Sequence, residues 1–183
     1  MLSYGYDGFL ETSVTWSCAS PPCPAGTVEG TVSREYDTSF RLVSEKVNGA
    51  HEATFEYDAD DLLTQIAVAG ETMTLTRDAQ RGGLITATAV GDVTDTREYN
   101  DFGEIERYEA SYQGVPFYGY EIDEADRDGL GRILKKTETI GGVTTVYEYA
   151  YDARGRLDTV TKDGVVVSDY GYDANGNRLT HHG

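Results

Sequence analysis

The chain has 183 residues, enough for one domain or for a segment of a longer repeat protein, and nothing in it approaches the ~18 consecutive apolar residues of a membrane helix. Its formal net charge of −17 is spread over the whole length, which repels phosphate and excludes a nucleic-acid partner. Fourteen Tyr and 21 Gly stand against 5 Phe and 4 Pro, a composition suited to short strands joined by tight turns.

In chain order, Met1-Leu2-Ser3-Tyr4-Gly5-Tyr6 carries neither a basic n-region nor an apolar h-region. It runs straight into a repeat motif, so the chain reads as a piece of something longer. Cys18 and Cys23 then frame a Pro-Pro turn, a spacing wrong for a thioredoxin-type pair and without a second Cys or His pair for zinc. The turn brings the thiols close, which predicts a small disulfide at a loop tip, with free thiols as the alternative. A disulfide implies export.

From there the chain repeats. The copies are clearest at the end: Tyr149-Ala150-Tyr151-Asp152-Ala153-Arg154-Gly155-Arg156-Leu157 and Tyr170-Gly171-Tyr172-Asp173-Ala174-Asn175-Gly176. The same Asp or Asn anchor falls at Asp7, Asp37, Asp58, Asp78, Asn100, Asp128, Asp152 and Asp173, mostly in steps of about 20 to 24 residues, one hairpin with its turns. The two longer steps are read as hairpin-tip insertions at 18–26 and 117–125, where extra residues cost little. Glu121 to Asp128 is polar enough for a loop or a short helical turn, and no segment has convincing helical periodicity.

Each motif residue has a conformational reason. Asp at the first position of a type I turn accepts the N–H two residues on, and Gly at the fourth takes the φ > 0 position. Asp128 with Gly131, Asp152 with Gly155 and Asp173 with Gly176 fit this, and Asn100 with Gly103 does so with an amide. At the other end of each hairpin stands a second turn. Asn48-Gly49, Asp163-Gly164 and Gly141-Gly142 are strong two-residue signals, while Ala69-Gly70, Gly91-Asp92 and Gln113-Gly114 are weaker. Two alternating turns a strand apart mean an all-β, continuous antiparallel meander. The Leu157-x-x-Val160 spacing breaks strict alternation and hints at a bulge.

Tyrosines two apart share a strand face. Tyr149 with Tyr151, Tyr170 with Tyr172, Tyr4 with Tyr6 and Tyr118 with Tyr120 are expected to stack in rows that hold successive hairpins in register. The other use of such rows is a carbohydrate-binding or adhesive platform. Chemistry finds little support: His51, His181 and His182 are the only histidines, no Ser or Cys stands in a nucleophile-elbow context, and no two carboxylates are marked as a pair. Asp58-Ala59-Asp60-Asp61 and Asp123 to Asp128 are rich in oxygen ligands but match no calcium loop, so neither metal nor cofactor is expected.

The Tyr-Asp-x-x-Gly-Arg-Leu cores at Tyr151 and Tyr172 resemble the YD repeats of RHS proteins, a family of bacterial polymorphic toxins, insecticidal toxin-complex shell components and the extracellular teneurins. Tyr99-Asn100-Asp101-Phe102-Gly103 is recognisable, Asp128 has Arg127 in place of Tyr, and Tyr6-Asp7, Tyr36-Asp37 and Tyr57-Asp58 keep the dipeptide without the Gly. The resemblance covers the whole chain and implies a spiral sheet of stacked hairpins that winds into a hollow shell, around a toxin polypeptide or as a rigid extracellular body. About eight hairpins are few for closure, so residues 1–183 are expected to form one array, a curved sheet or partial shell. The implied function is a non-catalytic structural segment of a secreted or cell-surface protein. Its partners are the neighbouring repeats, an encapsulated toxin, or a second copy through unpaired sheet edges, with no membrane insertion.

Overall fold

A computed structural model describes residues 1–18, 23, 25 and 28–182. Among them are sixteen strands and two single 3-10 turns. Two compact units divide the chain, Met1–Arg77 and Asp78–Gly183. In the first, β1 (Leu2–Asp7), β2 (Leu10–Trp16), β3 (Gly30–Tyr36), β4 (Leu42–Val47), β5 (His51–Tyr57), β6 (Leu63–Val68) and β7 (Glu71–Asp78) lie in chain order. In the second, the same holds for β8 (Leu84–Val90), β9 (Val93–Tyr99), β10 (Ile105–Tyr112) and β11 (Val115–Glu121). It continues through β12 (Lys135–Ile140), β13 (Val143–Tyr151), β14 (Leu157–Lys162), β15 (Val165–Tyr172) and β16 (Arg178–His182). Neighbours pair antiparallel throughout each unit, the all-β meander that two alternating turn types dictate.

The two rims are built differently. At one, Asp163-Gly164, Gly141-Gly142, Gln113-Gly114 and Ala69-Gly70 all have positive φ at both residues, the conformation whose twist matches the flanking strands. The tight register enforces this even where the side chain is Ala or Gln. Asp163 also extends the ladder: its N–H donates to the Val146 carbonyl, and its carboxylate accepts the Val146 N–H, both at 2.8 Å. Asn48 does the same toward Thr31, at 2.7 and 2.8 Å. Here the hairpin takes a third turn residue, Ala50, so that Val47 faces His51.

At the other rim sit the Asp anchors. In six strand pairs the register slips by one residue just before the motif Tyr, leaving Val43, Thr64, Glu106, Asp158 and Leu179 unopposed in five of them and Thr12 in the degenerate first copy. The broken alternation after Leu157 is therefore a bulge. It re-aims the side chain that follows.

Two placements differ from the sequence reading. Asp7 does not open the five-residue turn of most other copies, because Gly8 and Phe9 close a tight hairpin and Asp7 pairs directly with Leu10. Nor does 117–125 lie at a hairpin tip. β11 runs on through Glu121, since alternating Phe117, Tyr118 and Tyr120 favour a strand, and the extra length is the 3-10 turn Glu124–Asp126 beyond it. Of the insertion at 18–26, only Cys18, Cys23 and Ala25 lie within the described residues.

A single layer buries little. Ala110 and Ile122 are the buried apolar residues among those described, with Ser44, Asn100 and Ser111 beside them in burial. Order rests on the backbone ladder and on cross-strand side-chain pairs rather than on an apolar interior.

Gly155 and Gly176 close equivalent turns at φ +77° and +89°, but a Cβ on Gly155 would stand 2.8 Å from Arg132 Nη1, while one on Gly176 would meet nothing within 4 Å. Gly176→Ala is expected to cost about 1 kcal/mol from the positive φ alone. Gly155→Ala should cost more, read from urea midpoints, because Arg132 must also be displaced. Equal costs would show that Arg132 does not hold that position.

Candidate functional site, a clasp between repeats

The turn itself comes first. At Asp152 one carboxylate oxygen accepts the N–H groups of Arg154 and Arg156, each at 2.9 Å, and the other accepts Arg156 Nε at 2.7 Å. The backbone closes the same loop, Gly155 N–H to Asp152 carbonyl at 2.9 Å and Asp152 N–H to Arg156 carbonyl at 2.8 Å. Asp128 with Arg132 and Asp37 with Arg41 repeat the pattern bond for bond. Phe40 takes the Gly position there at φ 64°. Asp173 builds the neutral version, with Asn177 Nδ2 at 2.9 Å in place of the guanidinium.

These contacts hold the Asp carboxyls below the ordinary carboxylate range. At Asp152 and Asp37 the leading cause is the Arg156 or Arg41 backbone N–H, with the guanidinium adding to it. At Asp128 the Arg132 side chain leads, and at Asp173 the Asn177 side chain.

The turn then reaches its neighbour. Beyond Thr159–Asp169 the backbone ladder between β14 and β15 stops. There the Tyr172 hydroxyl donates to the Leu157 carbonyl at 2.7 Å. The motif Tyr does this at Tyr36 to Glu11, Tyr57 to Leu42, Tyr99 to Ile85 and Tyr151 to Ile133, between 2.6 and 2.9 Å. Where the motif has lost its Tyr, Arg takes over: Arg77 Nε reaches the Leu63 carbonyl at 2.9 Å and Arg127 Nη2 the Ile105 carbonyl at 3.3 Å. A long donor at this position thus meets the carbonyl that the bulge and ladder end leave over.

The motif Arg completes the clasp. The Arg156 guanidinium lies 4.3 Å from the Tyr172 ring centre, Arg132 4.6 Å from Tyr151, and Arg41 4.8 Å from Tyr57. Arg156 Nη1 also donates to the Asp173 carbonyl at 3.2 Å, and Arg41 Nη1 to Asp58 at 3.4 Å. One guanidinium therefore touches the Asp of its own repeat and both the Tyr and the Asp of the next.

Of the tyrosines expected to stack, Tyr4 and Tyr6 do so with ring centres 6.4 Å apart, whereas Tyr151, Tyr170 and Tyr172 are placed against cations. Tyr151 and Tyr172 lie under Arg132 and Arg156, Tyr147 lies between Lys136 and Lys162, and Tyr170 stacks on His181 at 5.0 Å with Arg178 nearby. Tyr149 faces Val160 across the ladder, and burial pushes its phenol up. A ring cluster does form at Tyr108, Tyr118 and Tyr120, with Tyr108 and Tyr120 stacked at 5.6 Å. Sequence reasoning missed the Arg; its place four residues after Asp37, Asp128 and Asp152 was the available signal. Cys18 and Cys23 form the disulfide, Cα atoms 5.7 Å apart, and the Glu29 carboxylate accepts the Cys18 N–H at 2.8 Å.

The family model for the Teneurin YD-shell matches residues 1–183. The chain is 30% identical to Teneurin-3 of Mus musculus and 29% identical to Teneurin-4 of Homo sapiens over 156 residues, 83% of its own length. It spans only 6% and 5% of those proteins. In fold it is similar to the crystal structure of TcdB2-TccC3-TEV, at a TM-score of 0.63 and 16% identity over 82% of this chain and 9% of that one. It is also similar to the Photorhabdus luminescens Tc holotoxin pore, at 0.61 and 11% over 98% of this chain and 12% of that one.

Tyr151→Phe keeps the ring under Arg132 and removes only the bond to Ile133, so it is expected to lower stability by about 1 kcal/mol. Tyr151→Leu should lose roughly a further 0.5–1 kcal/mol as the cation–π contact goes, both read by chemical denaturation. Acid should weaken the clasps. A carboxyl depressed in the folded state contributes stability that is present above its unfolded value of about 4 and lost as pH falls through the folded one. The thermal midpoint should therefore fall as pH drops below about 4, and less steeply in Asp152→Asn. An acid slope unchanged in that variant would assign the loss to other carboxylates.

Proposed function

The chain belongs to the Teneurin YD-shell family, and we propose that it is a non-catalytic stretch of shell wall in a secreted or cell-surface protein. One observation carries this reading: each of the seven steps between its eight anchors is bridged by a Tyr or Arg donating to a carbonyl of the preceding repeat. Such a device ties every hairpin to the last and makes a self-supporting wall that needs no apolar filling. The Cys18–Cys23 disulfide supports an oxidising compartment.

Within that role, the higher identity to teneurins supports a rigid extracellular body over a toxin capsule. Limited proteolysis of the full parent protein separates the two. Encapsulation requires an internal polypeptide that survives protease until the shell is opened, whereas a scaffold leaves no protected cargo. Glycan-array binding that is lost on changing Tyr118 and Tyr120 would replace both with an adhesive role.

A further inference from the structure

Guanidinium groups span from one Asp turn to the next along most of the array. Arg41 reaches the Asp58 carbonyl, Arg81 the Tyr99 and Asn100 carbonyls, and Arg156 the Asp173 carbonyl. Arg132 lies against Gly155 of the following turn. The turns at Asp7 and Asp58 carry no Arg, and at the step from Asn100 to Asp128 Glu104 stands where the motif has Arg. Asn100 Nδ2 donates to Glu104 Oε2 at 2.9 Å, and Arg127 Nε lies 3.4 Å from the same oxygen. Arg127 is otherwise engaged, through Nη1 and Nη2, with the Gly131 and Ile105 carbonyls.

Between these two turns lies an open cleft of about 570 Å³, within the range of sites that hold a ligand side chain. Phe102 and Leu130 stand at it with 82% and 81% of their surface exposed. Glu104, Glu124 and Asp128 also line it together with Arg127; Asp128 is paired with Arg132 and Arg127 lies against Glu104 from the Oε2 side, so among the described residues Glu124 is the carboxylate there with no cation beside it. Both contacts of Glu104 fall on Oε2, which leaves Oε1 to the cleft. Two apolar walls beside the Glu124 carboxylate and the remaining oxygen of Glu104 suit one kind of side chain, an aliphatic stem that ends in a cation.

We propose that this cleft docks an arginine side chain presented by a partner polypeptide. Its stem lies between Phe102 and Leu130, and its guanidinium meets Glu104 and Glu124, supplying from outside the group that neighbouring repeats supply from within. A planar fork suits paired carboxylates and an aromatic wall better than an ammonium does. The net charge of −17 adds long-range attraction for a basic segment.

The test is titration of acetyl-Gly-Arg-Gly-amide into the isotopically labelled chain, followed by amide chemical shifts. Saturable shifts confined to the Asn100–Glu104 and Glu124–Gly131 segments are expected. The neutral isostere acetyl-Gly-citrulline-Gly-amide should bind at least roughly fivefold more weakly, as should the Arg peptide to Glu124→Gln or Leu130→Ser. Both substituted side chains are exposed, so these variants should keep the fold. Equal binding of citrulline or of acetyl-Gly-Lys-Gly-amide, shifts scattered over the acidic surface, or full affinity in both variants would overturn the proposal.

Discussion

The fold depends on how a hairpin array is tied together where its backbone ladder ends. A one-residue bulge beside the motif Tyr carries the chain, in most copies, into a five-residue turn, and neighbouring hairpins there have no further backbone pairs to make. The Tyr hydroxyl and the Arg guanidinium close that gap. Each bond is worth only about 1 kcal/mol net, but it recurs at every step and joins residues 14 to 25 apart in sequence. Repetition substitutes for a core.

The same alternation gives the sheet of the second unit two chemically distinct faces. Lys136, Tyr147 and Lys162 are direct register partners on one, as are Tyr108 and Tyr120 with Glu138. The opposite face carries Thr139 against Thr144, Glu148 against Thr161, and Thr159 against Asp169. On the first, rings alternate with cations, so aromatic surface is covered without being removed from water as a core would be. Tyr118 donates to Glu138 at 3.2 Å, and Lys136 to the same carboxylate at 2.8 Å, which holds Glu138 below its usual range. Thr and Glu on the other face remain solvated, in keeping with a wall exposed on both sides.

Much of this was legible in the sequence because turn chemistry is local. Asp152 and Gly155 declare their turn by position, and Asp163-Gly164 declares the other, so strand count and order followed directly. The Cys pair was legible for the same reason. What the sequence concealed was contact across about 16 residues: nothing in Arg156 itself says that it will lie over Tyr172. Alternation was likewise blind to what each ring meets: Tyr149 and Tyr151 share the less exposed face of β13, yet Tyr149 stands opposite Val160 while the Tyr151 hydroxyl reaches back to Ile133. The extra length after Phe117 is hidden for another reason: the spacing from anchor to anchor is the same for a longer strand as for a longer loop.

The irregular copies explain what the clasp requires. When Tyr is replaced at Arg77 and Arg127, the bridge to the preceding carbonyl persists, so the position calls for a long donor rather than for a phenol. When Arg is replaced by Glu104, the anchor changes with it from carboxylate to the amide of Asn100, and the donor and acceptor exchange places. A carboxylate at both positions would set like charges against each other inside one turn; an amide removes that conflict and keeps the backbone contacts of Asn100 to Phe102 and Glu104 at 3.0 and 2.9 Å. Arg127 then supplies the positive charge from the following repeat. The three departures at Asn100, Glu104 and Arg127 are therefore one physical change, a clasp whose polarity is reversed, and it is at this reversal that the wall opens into a cleft.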